Sequence, residues 1–144
     1  MLDPLYQQLL LDHAKNPRNF GRLEAATVRR RHDNPACGDR LELQLAGVVE
    51  GTIRDFKFDG HGCVLCLASA SLMGEAVKGK PVVAVRAIIS NFFAMIAGVA
   101  AIAPDLGALA AFAAVKQVPG RMQCVTLAWE ALAAALAEPD APVT

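Results

Sequence analysis

Apolar positions recur at helical spacing toward both ends of the chain and at strand spacing between them. Asp3-Pro4-Leu5 opens a first helix, because Asp caps well and Pro is tolerated at the first helical position. Leu5 and Leu9, with Tyr6, Leu10 and His13 beside them, give that helix an apolar stripe. Pro17 and Gly21, within Asn16-Pro17-Arg18-Asn19-Phe20-Gly21, end it in a turn. Thr27 to Asp33 then predicts a strand with solvent-facing arginines, and Leu41, Leu43 and Leu45 alternate with Glu42 and Gln44 in a second. Gly47 to Gly51 reverses the chain into a third strand carrying Ile53, Phe56 and Phe58. The step from Ile53 to Phe56 breaks period two and predicts a bulge. The pattern makes a small antiparallel sheet with one apolar face.

After Asp59-Gly60-His61-Gly62 the period changes. Val64 to Lys78 predicts a helix apolar nearly all round, in which Ala68, Ser69, Ala70 and Ser71 permit close packing, so it is expected at the centre of the fold. Gly79-Lys80-Pro81 stops it, another helix starts near Val82, and Pro104, Gly107, Pro119 and Gly120 mark later breaks. Met122 to Leu136 predicts the last helix. One domain over residues 1–138 is expected, with a flexible tail over 139–144. From Ala87 to Pro104 no residue is charged, against roughly 20 apolar residues needed to span a bilayer. Ser90, Asn91, Gly98 and Pro104 interrupt the run, which predicts a buried helix followed by a loop ahead of an exposed interaction face, and no membrane span.

Composition narrows the function. A chain of 144 residues, 54% hydrophobic and 19% charged, is long enough for one packed core and too apolar for extended disorder. Its 14 basic and 14 acidic side chains cancel, so no phosphate-tracking surface and no nucleic-acid partner are expected. Met1-Leu2-Asp3-Pro4 carries no secretory signal pattern, which makes cytoplasm the expected compartment. Four cysteines at long, unequal spacings in that compartment point to metal binding or catalysis rather than to a disulfide framework.

Cys37-Gly38-Asp39 is the strongest chemical signal. Side chains two apart on an extended segment share a face, so Cys37 and Asp39 can grip one ion while Gly38 lets the backbone bend. Cys63 and Cys124, each at an expected helix start where the dipole favours a thiolate, complete a tetrahedral set. Three thiolates and a carboxylate suit zinc or one edge of an iron-sulfur cluster. Cys66 alone reads as a small buried hydrophobe. Cys63-x-x-Cys66 resembles a redox or zinc CxxC but lacks a thioredoxin-like strand context, which leaves Cys66 as a second thiol for sulfur relay or oxidation. His13 near a helix end fits the dipole, His32 a strand edge, and His61 lies close enough to influence Cys63; none is expected to bind metal. Arg121, three residues before Cys124, is either a support for a thiolate or anionic partner, or a plain surface arginine.

Asn34-Pro35-Ala36-Cys37-Gly38-Asp39, Phe58-Asp59-Gly60-His61-Gly62-Cys63, Ala68-Ser69-Ala70-Ser71-Leu72-Met73 and Cys124-Val125-Thr126-Leu127-Ala128-Trp129 together resemble the U-type iron-sulfur cluster assembly proteins. Tyr6, Asp12-His13 and Asn16 to Gly21 extend the resemblance toward the N-terminus. The long segment between Cys63 and Cys124 is similar to the SufU branch. So is Gln123, where the IscU branch has histidine, and so is Val118-Pro119-Gly120-Arg121, which lacks that branch's chaperone-recognition motif. Cys66 departs from the branch, in which serine is usual.

The resemblance implies an α+β fold with a three-stranded antiparallel sheet packed against about five helices. It implies a zinc site of Cys37, Asp39, Cys63 and Cys124, and a SufS-type, pyridoxal-phosphate-dependent cysteine desulfurase as partner, with downstream cluster assembly proteins beyond it. Cys37 is then the sulfur acceptor, freed from the metal when a partner histidine replaces it, and Arg121 a supporting residue. Such a chain is a sulfurtransferase-type acceptor rather than a stand-alone turnover enzyme. The alternatives are a scaffold for a transient iron-sulfur cluster at the same residues and a structural zinc domain for protein binding. Against the last, an ample hydrophobic core needs no metal to fold.

Overall fold

The computed structural model describes residues 4–35, 38–99 and 101–137. Helix α1 (Pro4–Lys15) precedes strands β1 (Val28–Asn34), β2 (Asp39–Ala46) and β3 (Asp55–His61), which are followed by helices α2 (Val64–Val77), α3 (Val82–Ala97) and α4 (Met122–Ala137). A 3-10 segment, Pro104–Gln117, joins α3 toward α4 and bends at Gly107, whose φ of 51° and ψ of −124° no L-residue adopts cheaply. The expected tail over 139–144 and the Asp3 cap lie outside the described residues.

The sheet is antiparallel in the order β1-β2-β3, with Val28 opposite Leu45, Asn34 opposite Asp39, and Arg40 opposite His61. Leu41, Leu43 and Leu45 are fully buried on one face with Phe56 and Phe58, as the alternation predicts. The opposite face is less open than the sequence suggests. The segment after α1 folds over it, so buried Gln44 accepts the Leu23 N–H and donates to Asp59 Oδ2 at 2.9 Å.

Several expectations need correction. Of the three arginines of β1, only Arg31 is exposed. Arg29 donates to the Leu23 carbonyl at 2.9 Å, and Arg30 reaches across to the Ala134 carbonyl of α4 at 3.4 Å. Arg86 donates to the Leu136 carbonyl at 2.8 Å, so two cations serve the C-terminal carbonyls of α4, where the helix dipole favours positive charge. No bulge separates Ile53 from Phe56. The β2–β3 register runs unbroken from Asp55, and Ile53 pairs instead with the α2–α3 connection, donating to the Lys80 carbonyl and accepting from the Gly79 N–H. Leu5 and Tyr6 do not join the buried stripe of α1; Leu10 and His13 do, with Leu9 partly covered, because α1 packs on α2 through its second half.

Helix α2 is central, with Ala68, Ser69, Ala70 and Ser71 all buried. Its serines are satisfied: Ser69 Oγ donates to the Val125 carbonyl at 2.6 Å and accepts from Trp129 Nε1 at 3.1 Å. Trp129, fully buried on α4, stacks on Phe92 of α3 with centroids 4.1 Å apart and planes 9° apart. The charge-poor stretch from Ala87 thus runs first along α3, where Ile88, Ile89, Phe92, Met95 and Ile96 are buried, and then into a loop carrying exposed Val99 and Ile102. No helix among the described residues is long and apolar enough to cross a membrane.

His13 does not serve the dipole of its helix. It is buried, with Nδ1 2.7 Å from Ser71 Oγ, which also accepts the Arg18 N–H. Burial, reinforced by the Arg18 charge and opposed by Asp12 and Glu75, lowers the His13 pKa from its ordinary 6.5. On acidification the unfolded chain therefore takes up this proton first, and stability falls between 6.5 and the lowered folded value. His13→Gln is expected to flatten the fall of Tm between about pH 7 and 5; an unchanged slope in a thermal-melt series would place the titration elsewhere.

Candidate metal centre

Three chain segments converge at one end of α2. Asp39 is the first residue of β2, Cys63 is the N-cap of α2, and Cys124 is the third residue of α4. One ligand atom from each lies within 4.8 Å of the others, with Asp39 and Cys124 buried and Cys63 half-buried. Zinc sits about 2.3 Å from sulfur and 2.0–2.2 Å from carboxylate oxygen. Its ligands are therefore roughly 3.5 Å apart, and the three atoms here, within 4.8 Å of one another, are grouped on that scale. All three described cysteines are thiols.

The carboxylate is built in. Asp39 is 2% exposed, and its Oδ1 accepts the Cys63 backbone N–H at 3.0 Å, which ties β2 to the start of α2. Its Oδ2 is buried with no hydrogen-bond partner among the described residues. A carboxylate oxygen left this way costs several kcal/mol unless a cation meets it, on the order of the penalty for an unpaired buried charge. Two thiolates beside it complete a donor set suited to zinc or to iron.

Cys37, the fourth expected ligand, lies outside the described residues. Its neighbours bracket the site: Asn34 pairs with Asp39, and Gly38, at φ 73°, donates its N–H to the Asn34 carbonyl at 2.9 Å. Asn34 is itself buried, with Nδ2 unpaired among the described residues, and it lines an open cleft of about 210 Å³ with Pro35 and Gln123. Arg121, itself exposed, ends the turn Pro119–Arg121 before α4 and borders an apolar cleft of about 190 Å³ with Leu65, Phe112 and Val118. His32 and His61 stand on the sheet, outside the ligand group among the described residues.

Gly62, which with Gly60 flanks His61, leaves the room in which the site closes. A Cβ there would lie 2.9 Å from Asp39 Oδ1 and 2.9 Å from Cys66 Sγ, so glycine is what lets the carboxylate and the α2 start approach. Gly62→Ala is expected to weaken metal binding about 10–100-fold, the usual effect of disturbing a ligand's support, as read by chelator competition. An unchanged affinity would mean that the carboxylate is not held as described.

The chain matches the NifU-like N terminal domain family over residues 5–141. It is 40% identical over 141 residues to the zinc-dependent sulfurtransferase SufU of Bacillus subtilis, covering 96% of this chain and 94% of that one. It is 35% identical over 138 residues to the iron-sulfur cluster assembly scaffold protein IscU of Thermotoga maritima, covering 96% of each. A crystal structure from Fervidobacterium islandicum AW-1, described as a cluster assembly scaffold for a SUF system, superposes with a TM-score of 0.82 at 30% identity over 90% of this chain and 94% of that chain.

Proposed function

This chain belongs to the NifU-like N-terminal domain family, and from that premise we propose that it is a zinc-dependent sulfur acceptor in iron-sulfur cluster assembly. The observation that carries the reading is the convergence of Asp39, Cys63 and Cys124, with a buried Asp39 oxygen that has no partner among the described residues. Cys37 is the fourth ligand and the acceptor. Bound zinc keeps the thiolates deprotonated and restrains their oxidation.

The Cys37 thiolate attacks the outer sulfur of a persulfide on a pyridoxal-phosphate-dependent cysteine desulfurase of the SufS type. A new S–S bond forms on Cys37, the old one breaks, and the desulfurase cysteine leaves as a thiolate, so no net electrons are exchanged. Asp39 is the hard, exchangeable member of a soft set, fixed by the Cys63 N–H. Gly38, in the left-handed region, supplies the bend beside the acceptor. Arg121, in the turn before α4, is assigned the supporting role toward an anionic sulfur donor. The work is placed in the cytoplasm, with downstream cluster assembly proteins as recipients.

Incubation with desulfurase and cysteine, followed by alkylation and peptide mass analysis, tests this. A persulfide on Cys37 is expected; absence of any persulfide would overturn the reading. A second reading, a scaffold for a transient cluster, draws on the IscU relative and on the single carboxylate, which would make a cluster labile. It predicts iron and sulfide retained through anaerobic purification.

A further inference from the structure

We propose that Cys63 and Cys66 form a reversible disulfide in the metal-free protein, so that oxidation withdraws one ligand from the metal centre. Cys63 is the N-cap of α2 and Cys66 the third helical residue after it. In a capping box the side chains at these two positions each reach the other residue's backbone N–H, so both turn toward the same helix start. Within a helix, side chains three apart stand about 5–6 Å from each other at Cβ, whereas a disulfide needs about 3.5–4.5 Å. The difference closes at the N-cap because Cys63 is extended there, with φ −71° and ψ 172°, and is not held by the helix.

Burial divides the labour. Cys63 is half-buried, within reach of a small oxidant, while Cys66 is fully buried. Cys66 Sγ is buried beside Gly62. It lies 2.9 Å from where a Gly62 Cβ would sit, the same distance as Asp39 Oδ1, so this thiol borders the ligand group from the α2 side. The sulfur of Cys124 is also within 4.8 Å of Cys63.

With hydrogen peroxide as oxidant, the Cys63 thiolate attacks one oxygen, the O–O bond breaks, and a sulfenic acid and one water result. The Cys66 thiol then attacks that sulfur, the S–S bond forms, the S–O bond breaks, and a second water leaves. Two thiols give up two electrons and two protons, and a dithiol reductant reverses the change by exchange. Metal and disulfide compete for Cys63, so zinc protects the pair and oxidation lowers zinc affinity. Only that protection rests on the zinc reading, and the product is read without desulfurase, so failure of sulfur transfer and failure of the disulfide are separable.

Trypsin places both cysteines in one peptide, residues 58–78, between Lys57 and Lys78. The full chain, stripped of zinc, is treated with stoichiometric hydrogen peroxide, alkylated, digested and weighed. The expected product is peptide 58–78 without alkyl groups and two hydrogens lighter, restored by dithiothreitol and suppressed by prior zinc loading. Cys66→Ser is expected to abolish that product while keeping zinc stoichiometry. A cross-link from peptide 58–78 to any other peptide, or full alkylation of both cysteines when peroxide has been consumed, would overturn the proposal.

Discussion

Replacing Cys124 with serine is expected to reduce copurifying zinc from about one equivalent, as a four-ligand site holds, to a small fraction of that. Removing even an outer-shell partner typically costs about 10–100-fold in metal affinity, and a direct thiolate ligand costs at least as much. The effect is local, because serine is nearly isosteric and Cys124 sits at the end of a core held by many larger side chains. The far-ultraviolet circular dichroism should therefore be unchanged while metal analysis falls. Retention of full zinc would remove Cys124 from the ligand set; collapse of the helical signal would make the site structural instead.

The largest effect on stability is expected from Trp129→Ala. The ring is fully buried, stacks on Phe92 at 4.1 Å and donates its Nε1–H to Ser69 Oγ, so one substitution opens a cavity between α2, α3 and α4 and leaves a buried hydroxyl short of a partner. Large-to-small aromatic changes cost about 3–5 kcal/mol, and the lost ring stack adds roughly 0.5–1.5 kcal/mol. At this chain length each kcal/mol shifts the midpoint by about 2–4 °C, so Tm is expected to fall by on the order of 10–20 °C. Trp129→Phe, which keeps a stacking ring, should lose much less. A drop below about 3 °C for the alanine variant would mean that the stack does not organise the core.

The helices were legible because their punctuation is local. Pro4, Gly79-Lys80-Pro81 and Gly120 act on the backbone wherever they stand, and the elements begin and end beside them. What the sequence could not display is which polar groups another segment covers. Arg30 looks like an exposed strand residue until α4 offers the Ala134 carbonyl, and Gln44 looks solvent-facing until Leu23 folds over it. His13 shows the same limit: its helix position suggests a dipole partner, whereas its chemistry is set by Ser71, 58 residues away. Ile53 misled by spacing, because period two describes a ladder and Ile53 bonds to a different one.

The site was legible in part for a related reason. Cys63 and Cys124 stand at helix starts that the sequence marks, and Asp39 shares a short turn motif with Cys37, so their meeting follows once β2, α2 and α4 pack. The Cys63 N–H that fixes Asp39 and the unmatched Asp39 oxygen are properties of the packed arrangement, with no local pattern to announce them.

The most direct test of sulfur acceptance is the rate of alanine release by the organism's own cysteine desulfurase, with and without the zinc-loaded protein. Strong stimulation that is lost in Cys37→Ser and in metal-free protein is the predicted result. No stimulation by the zinc-loaded protein, or equal stimulation by Cys37→Ser, would contradict the account.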